Sequence, residues 1–347
     1  MHSLFDPIPL PDQAFLQRAL ERQTQLTKPP GSLGRLEGLA TRLCALQSRD
    51  QPRLENIHVS IFAADHGIAE EGVSAFPQVV TQEMVKNFAA GGAAVNVLSR
   101  QCQAVFEVID VGLIQSVESN SVIRRRVGAG TANFCHQPAM TSEQLSLALE
   151  AGLEAVQRAC ADRADLFIAG EMGIANTTSA SALAAALLGV PAIEIAGAGT
   201  GLNSDQIGHK AAVIQAALQH HAAELTTPLQ ILRCLGGFEI AALTSAYVHA
   251  ARAGLPVMVD GFISSVAALL AVNLNADCAA WFFYGHRSAE KGHAMVLQAL
   301  HAEPILDLNM RLGEASGALM AVPILQMACR LHNEMATFAQ AHITTGG

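Results

Sequence analysis

Short runs rich in β-branched and aromatic residues alternate with helix-length Ala/Leu segments, and this alternation constrains the fold more than any other feature of the chain. The runs fall at 57–64, 105–111, 166–169, 256–260 and 280–284, each ending in glycine or polar residues, with a sixth expected at 305–308. Apolar runs of this length read as strands buried on both faces, and helices between them impose parallel crossovers. The expected class is α/β: a Rossmann-like parallel sheet flanked by helices. Residues 11–26 and 318–338 look helical without an intervening strand. We therefore expect a small helical domain formed from both chain termini, 1–30 plus 311–347, beside a large α/β domain over 31–310.

Composition enters through what it excludes. The formal charge is −9, and the longest basic run is Arg124 to Arg126, so a nucleic-acid partner has no electrostatic footprint. Seven scattered cysteines with no C-x-x-C pair fit neither a disulfide framework nor a zinc site, and they read as reduced core thiols. No apolar tract reaches the roughly 20 residues of a membrane span. The N-terminal stretch carries Asp6 and several prolines instead of a basic and then apolar signal, so a cytoplasmic protein is expected.

In doubly wound sheets, ligands sit beyond the carboxyl ends of the strands. Those ends read Asp65-His66-Gly67, Gly170-Glu171-Met172-Gly173, Asp260-Gly261 and Gly285-His286-Arg287. The stretch from Gly170 through Ile174, Asn176 and Thr177 is a strand, a glycine turn and a hydroxyl-rich helix start, an arrangement suited to anions. The alternative is an ordinary cap by Asn176 or Thr177. Glu171, a carboxylate between two glycine turns, is neither a core residue nor a turn former. Gly199-Thr200-Gly201 lies shortly before Lys210 but is no dinucleotide fingerprint, because Leu202 fills the sixth position of the stretch that opens at Gly197. A flexible loop with a surface lysine is the competing reading.

Asp65-His66 suits a catalytic pair, metal ligands or a hydrogen-bonded strand end. Ser288 suits a phosphate contact or a helix cap. Glu314, ahead of a strongly apolar helix, is either a base whose pKa is raised by apolar surroundings or a first-turn residue favoured by the helix dipole.

Together these stretches resemble the nicotinate-nucleotide:dimethylbenzimidazole phosphoribosyltransferase family. The resemblance runs in order along nearly the whole chain: Thr27-Lys-Pro-Pro-Gly-Ser-Leu-Gly34, Ala64-Asp-His-Gly67, Gly72-Val-Ser-Ala-Phe-Pro77, Gly170-Glu-Met-Gly-Ile174, Leu235-Gly-Gly-Phe-Glu239, Gly285-His-Arg-Ser288 and Arg311-Leu-Gly-Glu314. It implies transfer of the 5-phosphoribosyl group of nicotinate mononucleotide to 5,6-dimethylbenzimidazole, a homodimer, and no metal or other cofactor. By motif, Glu314 matches the catalytic base, and Glu171 and Lys210 match residues lining the substrate site. Ser74, Phe76 and Gln78 lie on the loop facing the base. Gly173, Ile174, Asn176, Thr177, Gly199, Thr200, Gly201, Ser288, Leu312 and Gly313 complete the expected substrate-binding set. Ala175 and Ala315 depart from the pattern, which has glycine at both positions, and the two methyls bear on base selectivity. The acceptor class stays open among benzimidazoles, purines and phenols. A nicotinamide-dependent oxidoreductase lacks its fingerprint here, and a non-catalytic binding protein leaves Glu314 without a role.

Overall fold

A computed structural model describes residues 2–199 and 201–344. Six strands form one sheet among the described residues: β1 (Ile57–Ala64), β2 (Val105–Gly112), β3 (Val122–Arg124), β4 (Leu166–Met172), β5 (Val257–Val259) and β6 (Phe282–Tyr284). Their order is β3-β2-β1-β4-β5-β6, and every pairing is parallel. All eight residues of β1 are buried, which explains a strand that reads as a nearly continuous apolar run rather than an alternating one.

The helices in chain order are α1 (Gln13–Gln25), α2 (Arg35–Gln47), α3 (Val79–Ala90), α4 (Ala94–Gln101), α5 (Ser142–Ala161), α6 (Asn176–Leu188), α7 (Ala192–Ile195), α8 (Ser204–His220), α9 (Pro228–Leu235), α10 (Phe238–Arg252), α11 (Phe262–Leu274), α12 (His293–Ala299) and α13 (Ser316–Glu334). In α10, every residue except Arg252 is buried. A helix apolar on all sides belongs inside a protein; α10 packs between α5, α11 and the sheet. On another flank α13 packs on α2, α4 and β4.

Two expectations need correction. The sixth strand is not 305–308, where a single bridge joins Leu306 to His286, but the three-residue edge strand β3. So short a segment, leading into the arginine run, carries no strand-length apolar signal. The cysteines are not all core: Cys160 is exposed and Cys135 half-buried, because α5 turns Cys160 to its outer side.

The two ends of the chain meet. Leu26 bridges Thr337 antiparallel, Arg22 donates to the carbonyls of His332 and Asn333, and Gln23 lies 2.9 Å from His332 Nδ1. No helix among the described residues is long and apolar enough to cross a membrane.

Candidate active site

The strand order reverses between β1 and β4, and the crevice outside their carboxyl ends is where such sheets bind ligands. A cavity of about 640 Å³ opens there. Its walls come from the turn after β4 (Glu171, Gly173, Ile174, Asn176, Thr177), the end of β5 (Asp260 to Ser264), the segment after β6 (His286, Ser288, Glu290) and residues 311 to 314. Phe76, Val80 and Met84 supply an apolar side.

The helix start after β4 is not capped by a side chain. Its N-cap is Ala175, in the left-handed region at φ 76°, and Asn176 turns its amide to the Glu171 carboxylate instead. Neither Asn176 nor Thr177 is therefore the cap. Thr81 Oγ1 accepts the Ile174 N–H at 3.0 Å and fixes the turn from α3. Lys210 is fully buried behind this start, its Nζ donating to Thr177 Oγ1 at 2.8 Å, and burial lowers its pKa to about 8. The lysine is no surface side chain, yet it stands one layer behind the cavity wall. Gly199 and Arg311 lie on the wall itself, joined by a 3.0 Å bond from Arg311 Nη1 to the Gly199 carbonyl.

The cavity wall also carries a cluster of carboxyl groups. Glu314 precedes Ala315, the N-cap of α13, and both residues are left-handed at φ 58°. Glu314 thus lies outside the first helical turn, so the dipole reading of its position fails. It is 6% exposed, and its pKa rises to about 7, first through burial and then through the negative charge of Asp260. Asp260 accepts the Ala318 N–H at 2.7 Å, anchoring α13 to the end of β5, and burial raises its own pKa. Burial, followed by the charges of Glu239 and Asp260, holds Glu171 well above the usual carboxylate range. Gly313, at φ 82°, presses its backbone against Glu171, where an added Cβ would stand 2.5 Å from Oε1. Gly317 makes room for the His286 ring in the same way.

The structure brings Phe76, Glu171, Gly173, Ile174, Asn176, Thr177, Gly199, Ser288, Leu312, Gly313 and Glu314 together around one cavity. Ser74, Gln78, Gly201 and Lys210 do not line it, and Thr200 lies outside the described residues. Ser288 Oγ accepts the Glu290 N–H at 3.3 Å, so the serine closes a local turn as well as facing the cavity. Asp260, His286, Glu290 and Arg311 are lining residues absent from the expected set. Two of them stand at strand ends already visible in the sequence, Asp260-Gly261 and Gly285-His286; that position was the available signal.

Asp65 and His66 are a hydrogen-bonded strand end. Asp65 Oδ2 accepts the Ile114 N–H at 2.8 Å, and both His66 ring nitrogens have protein partners. One set of metal-ligating type converges among the described residues, His221, Glu224 and Cys234. Arg233 already pairs with Glu224 and lies 3.6 Å from Cys234 Sγ, supplying the positive charge that this set would otherwise want.

A family model described as "Phosphoribosyltransferase" matches residues 8–343. The chain is similar to nicotinate-nucleotide–dimethylbenzimidazole phosphoribosyltransferases of Pseudomonas putida, 55% identical over 96% of this chain and 95% of that protein. A relative of the same name in Azotobacter vinelandii is 57% identical over 97% of this chain and 96% of that protein. A crystal structure bearing this enzyme's name, from Thermus thermophilus, superposes with a TM-score of 0.91 at 42% identity, covering 96% of this chain and 100% of that one.

Proposed function

The chain belongs to the nicotinate-nucleotide–dimethylbenzimidazole phosphoribosyltransferase family, and from that premise we propose that it moves the phosphoribosyl group of nicotinate mononucleotide to 5,6-dimethylbenzimidazole. The observation that carries this reading is Glu314: a buried carboxylate with a pKa raised to about 7, lining the same cavity as an uncapped helix start backed by a buried lysine. The carboxylate suits a base and the helix start suits a phosphate.

In the proposed reaction a benzimidazole nitrogen attacks C1′ from the face opposite nicotinate. The C1′–N bond breaks, and its electron pair returns to the pyridine ring, so the cationic leaving group needs no acid. Configuration inverts from β to α. The attacking base then carries a surplus proton on its other nitrogen, and Glu314 takes it; a placed base of this kind is worth about 10² to 10⁴ in rate. The cavity's alignment of two reactants supplies the rest. The 5′-phosphate lies at the start of α6, reached by Thr177 and the charge of Lys210, with Ser288 as a further donor. Glu171, oriented by Asn176 and Gly313, faces the ribose. Phe76, Val80 and Met84 give the aromatic acceptor an apolar wall.

We also propose a cytoplasmic homodimer, in which a second copy covers the exposed Phe76 and Leu312 at the cavity. The helical domain of 1–30 plus 311–347 remains our division of the chain, supported by the Leu26–Thr337 bridge. The deciding experiment is mass-spectrometric turnover of nicotinate mononucleotide with 5,6-dimethylbenzimidazole, comparing the native chain with Glu314→Gln. An α-ribazole phosphate mass that collapses in the variant supports both reaction and base. No product with this acceptor, or with purines and phenols, overturns the reading.

A further inference from the structure

Three residues far apart in the sequence, none used by the chemistry above, meet beneath the cavity. His66 follows β1; its Nδ1 lies 2.9 Å from Ser179 Oγ on α6, and its Nε2 lies 2.7 Å from Glu239 Oε1 on α10. Serine, histidine and carboxylate in that sequence would suit nucleophilic catalysis. All three are 0% exposed, however, so no substrate reaches the serine.

The surroundings of His66 indicate a different task. Its backbone carbonyl accepts Gln78 Nε2 at 2.7 Å, which ties down the segment carrying Ser74 and Phe76. Its ring lies against Gly173, where an added Cβ would stand 3.1 Å from Cδ2. It also lies against Gly237, whose added Cβ would collide with the ring and stand 2.5 Å from Glu239 Oε2. One residue therefore touches the segment expected to face the acceptor, the turn expected to hold the ribosyl phosphate, and the helix that starts at that turn.

We propose that His66 is a positioning residue that locks segment 74–78, the turn at 173–176 and the start of α6 into one register, so that the two substrate subsites move together or not at all. The ring can do this because both of its nitrogens are engaged: a doubly held imidazole fixes the His66 backbone whose carbonyl Gln78 binds, whereas a singly held one could pivot and let that carbonyl shift. The two substrates named here rest on the function proposed above.

Hydrogen exchange on the ligand-free chain tests the lock without assuming a substrate. In His66→Gln, amide protection should fall in 74–78 and in 173–177 together, while β2 (Val105–Gly112) keeps its protection. Loss in only one of the segments, in neither, or equally in β2 overturns the proposal. If His66→Gln fails to fold, Ser179→Ala replaces it: loosening must then spread from α6 to 74–78, and loosening confined to α6 overturns the lock. In turnover assays the KM values for nucleotide and acceptor should rise together by about five- to tenfold, the effect of one lost buried hydrogen bond, whereas Gln78→Leu should raise the acceptor KM alone. A fall in kcat with both KM values unchanged would mark mere loss of folded enzyme and overturn it. If the native chain shows no transfer, the function proposed above fails while the exchange measurement still decides this inference.

Discussion

The starts of α6 and α13 are built alike and present opposite chemistry. Each helix follows an alanine in the left-handed region, Ala175 at φ 76° and Ala315 at φ 58°, and neither alanine supplies a side-chain cap; at α13 the Asp260 carboxylate accepts the Ala318 N–H instead. At α6 this leaves the positive end of the helix facing the cavity, reinforced by Lys210. At α13 the same kind of turn swings Glu314 to the cavity wall, one residue before the cap. A left-handed alanine ahead of each start thus leaves the preceding turn on the cavity wall, Gly173 and Ile174 at one and the Glu314 carboxyl at the other.

The sharpest way to break this pairing is to remove the acid. Glu314→Gln should lower kcat by about 10² to 10⁴ with little change in the nucleotide KM. A variant that loses nucleotide affinity instead would show that the two starts do not divide the work. With a pKa near 7, Glu314 should also give native kcat/KM an acid limb centred near pH 7, falling as pH drops, and this limb should vanish in the variant.

Stability should move the other way. The folded pKa of about 7 exceeds the ordinary 4.5, so between those values the folded state holds a proton that the unfolded state has lost. The cost to folding is absent below about pH 4.5, grows through the interval and is complete above pH 7, at about 3 kcal/mol. Denaturant unfolding at pH 8 should therefore find Glu314→Gln more stable than the native chain, with the difference gone near pH 4. A difference independent of pH would sink this account.

At the other start, Lys210→Met should raise the nucleotide KM by about tenfold to a hundredfold, as expected for a lost charge-assisted contact, and leave the acid limb in place. A shifted limb would mean that the two walls are electrostatically one unit. The smallest effects concern the alanines themselves. A left-handed L-residue costs about 1 to 2 kcal/mol, partly offset by the extra freedom that glycine gives the unfolded chain. Ala175→Gly and Ala315→Gly should each stabilise the chain by a few tenths to about 1 kcal/mol, and by similar amounts if the two turns are equivalent.

Much of this is legible in the sequence alone. The strands at 57–64, 105–111 and 166–169 announce themselves as runs buried on both faces, and β1 is buried along its whole length. Glu171 is conspicuous because a carboxylate between two glycines at a strand end serves neither packing nor a turn, whereas Glu314 reads equally as a base or a first-turn residue until the fold places it ahead of the cap of α13. The rest escaped for physical reasons. β3 is three residues long, below the length at which a period can be read. Lys210 looks like a surface side chain from its helix alone, and only the fold shows it buried behind Thr177. Arg311 earns its place through one bond to the Gly199 carbonyl across 112 positions, and no local pattern encodes such a partner. The left-handed geometry of Ala175 and Ala315 was equally hidden, although the glycines usual at those positions in the family hinted at it.

Arg22 reaches the His332 carbonyl across 310 positions, and α13 carries that end of the chain back beside the sheet. Contacts so distant in sequence close late, because a long loop must be paid for in entropy before they return anything. Glu314 sits immediately upstream of α13, which packs on α2 and is pinned to Asp260 through Ala318, so its part of the cavity wall forms as α13 docks. During synthesis on a ribosome, the part of the cavity that follows β4 can be in place before Glu314 is. Slowed docking of the ends would then appear as a lag before activity emerges, in molecules whose sheet is already formed.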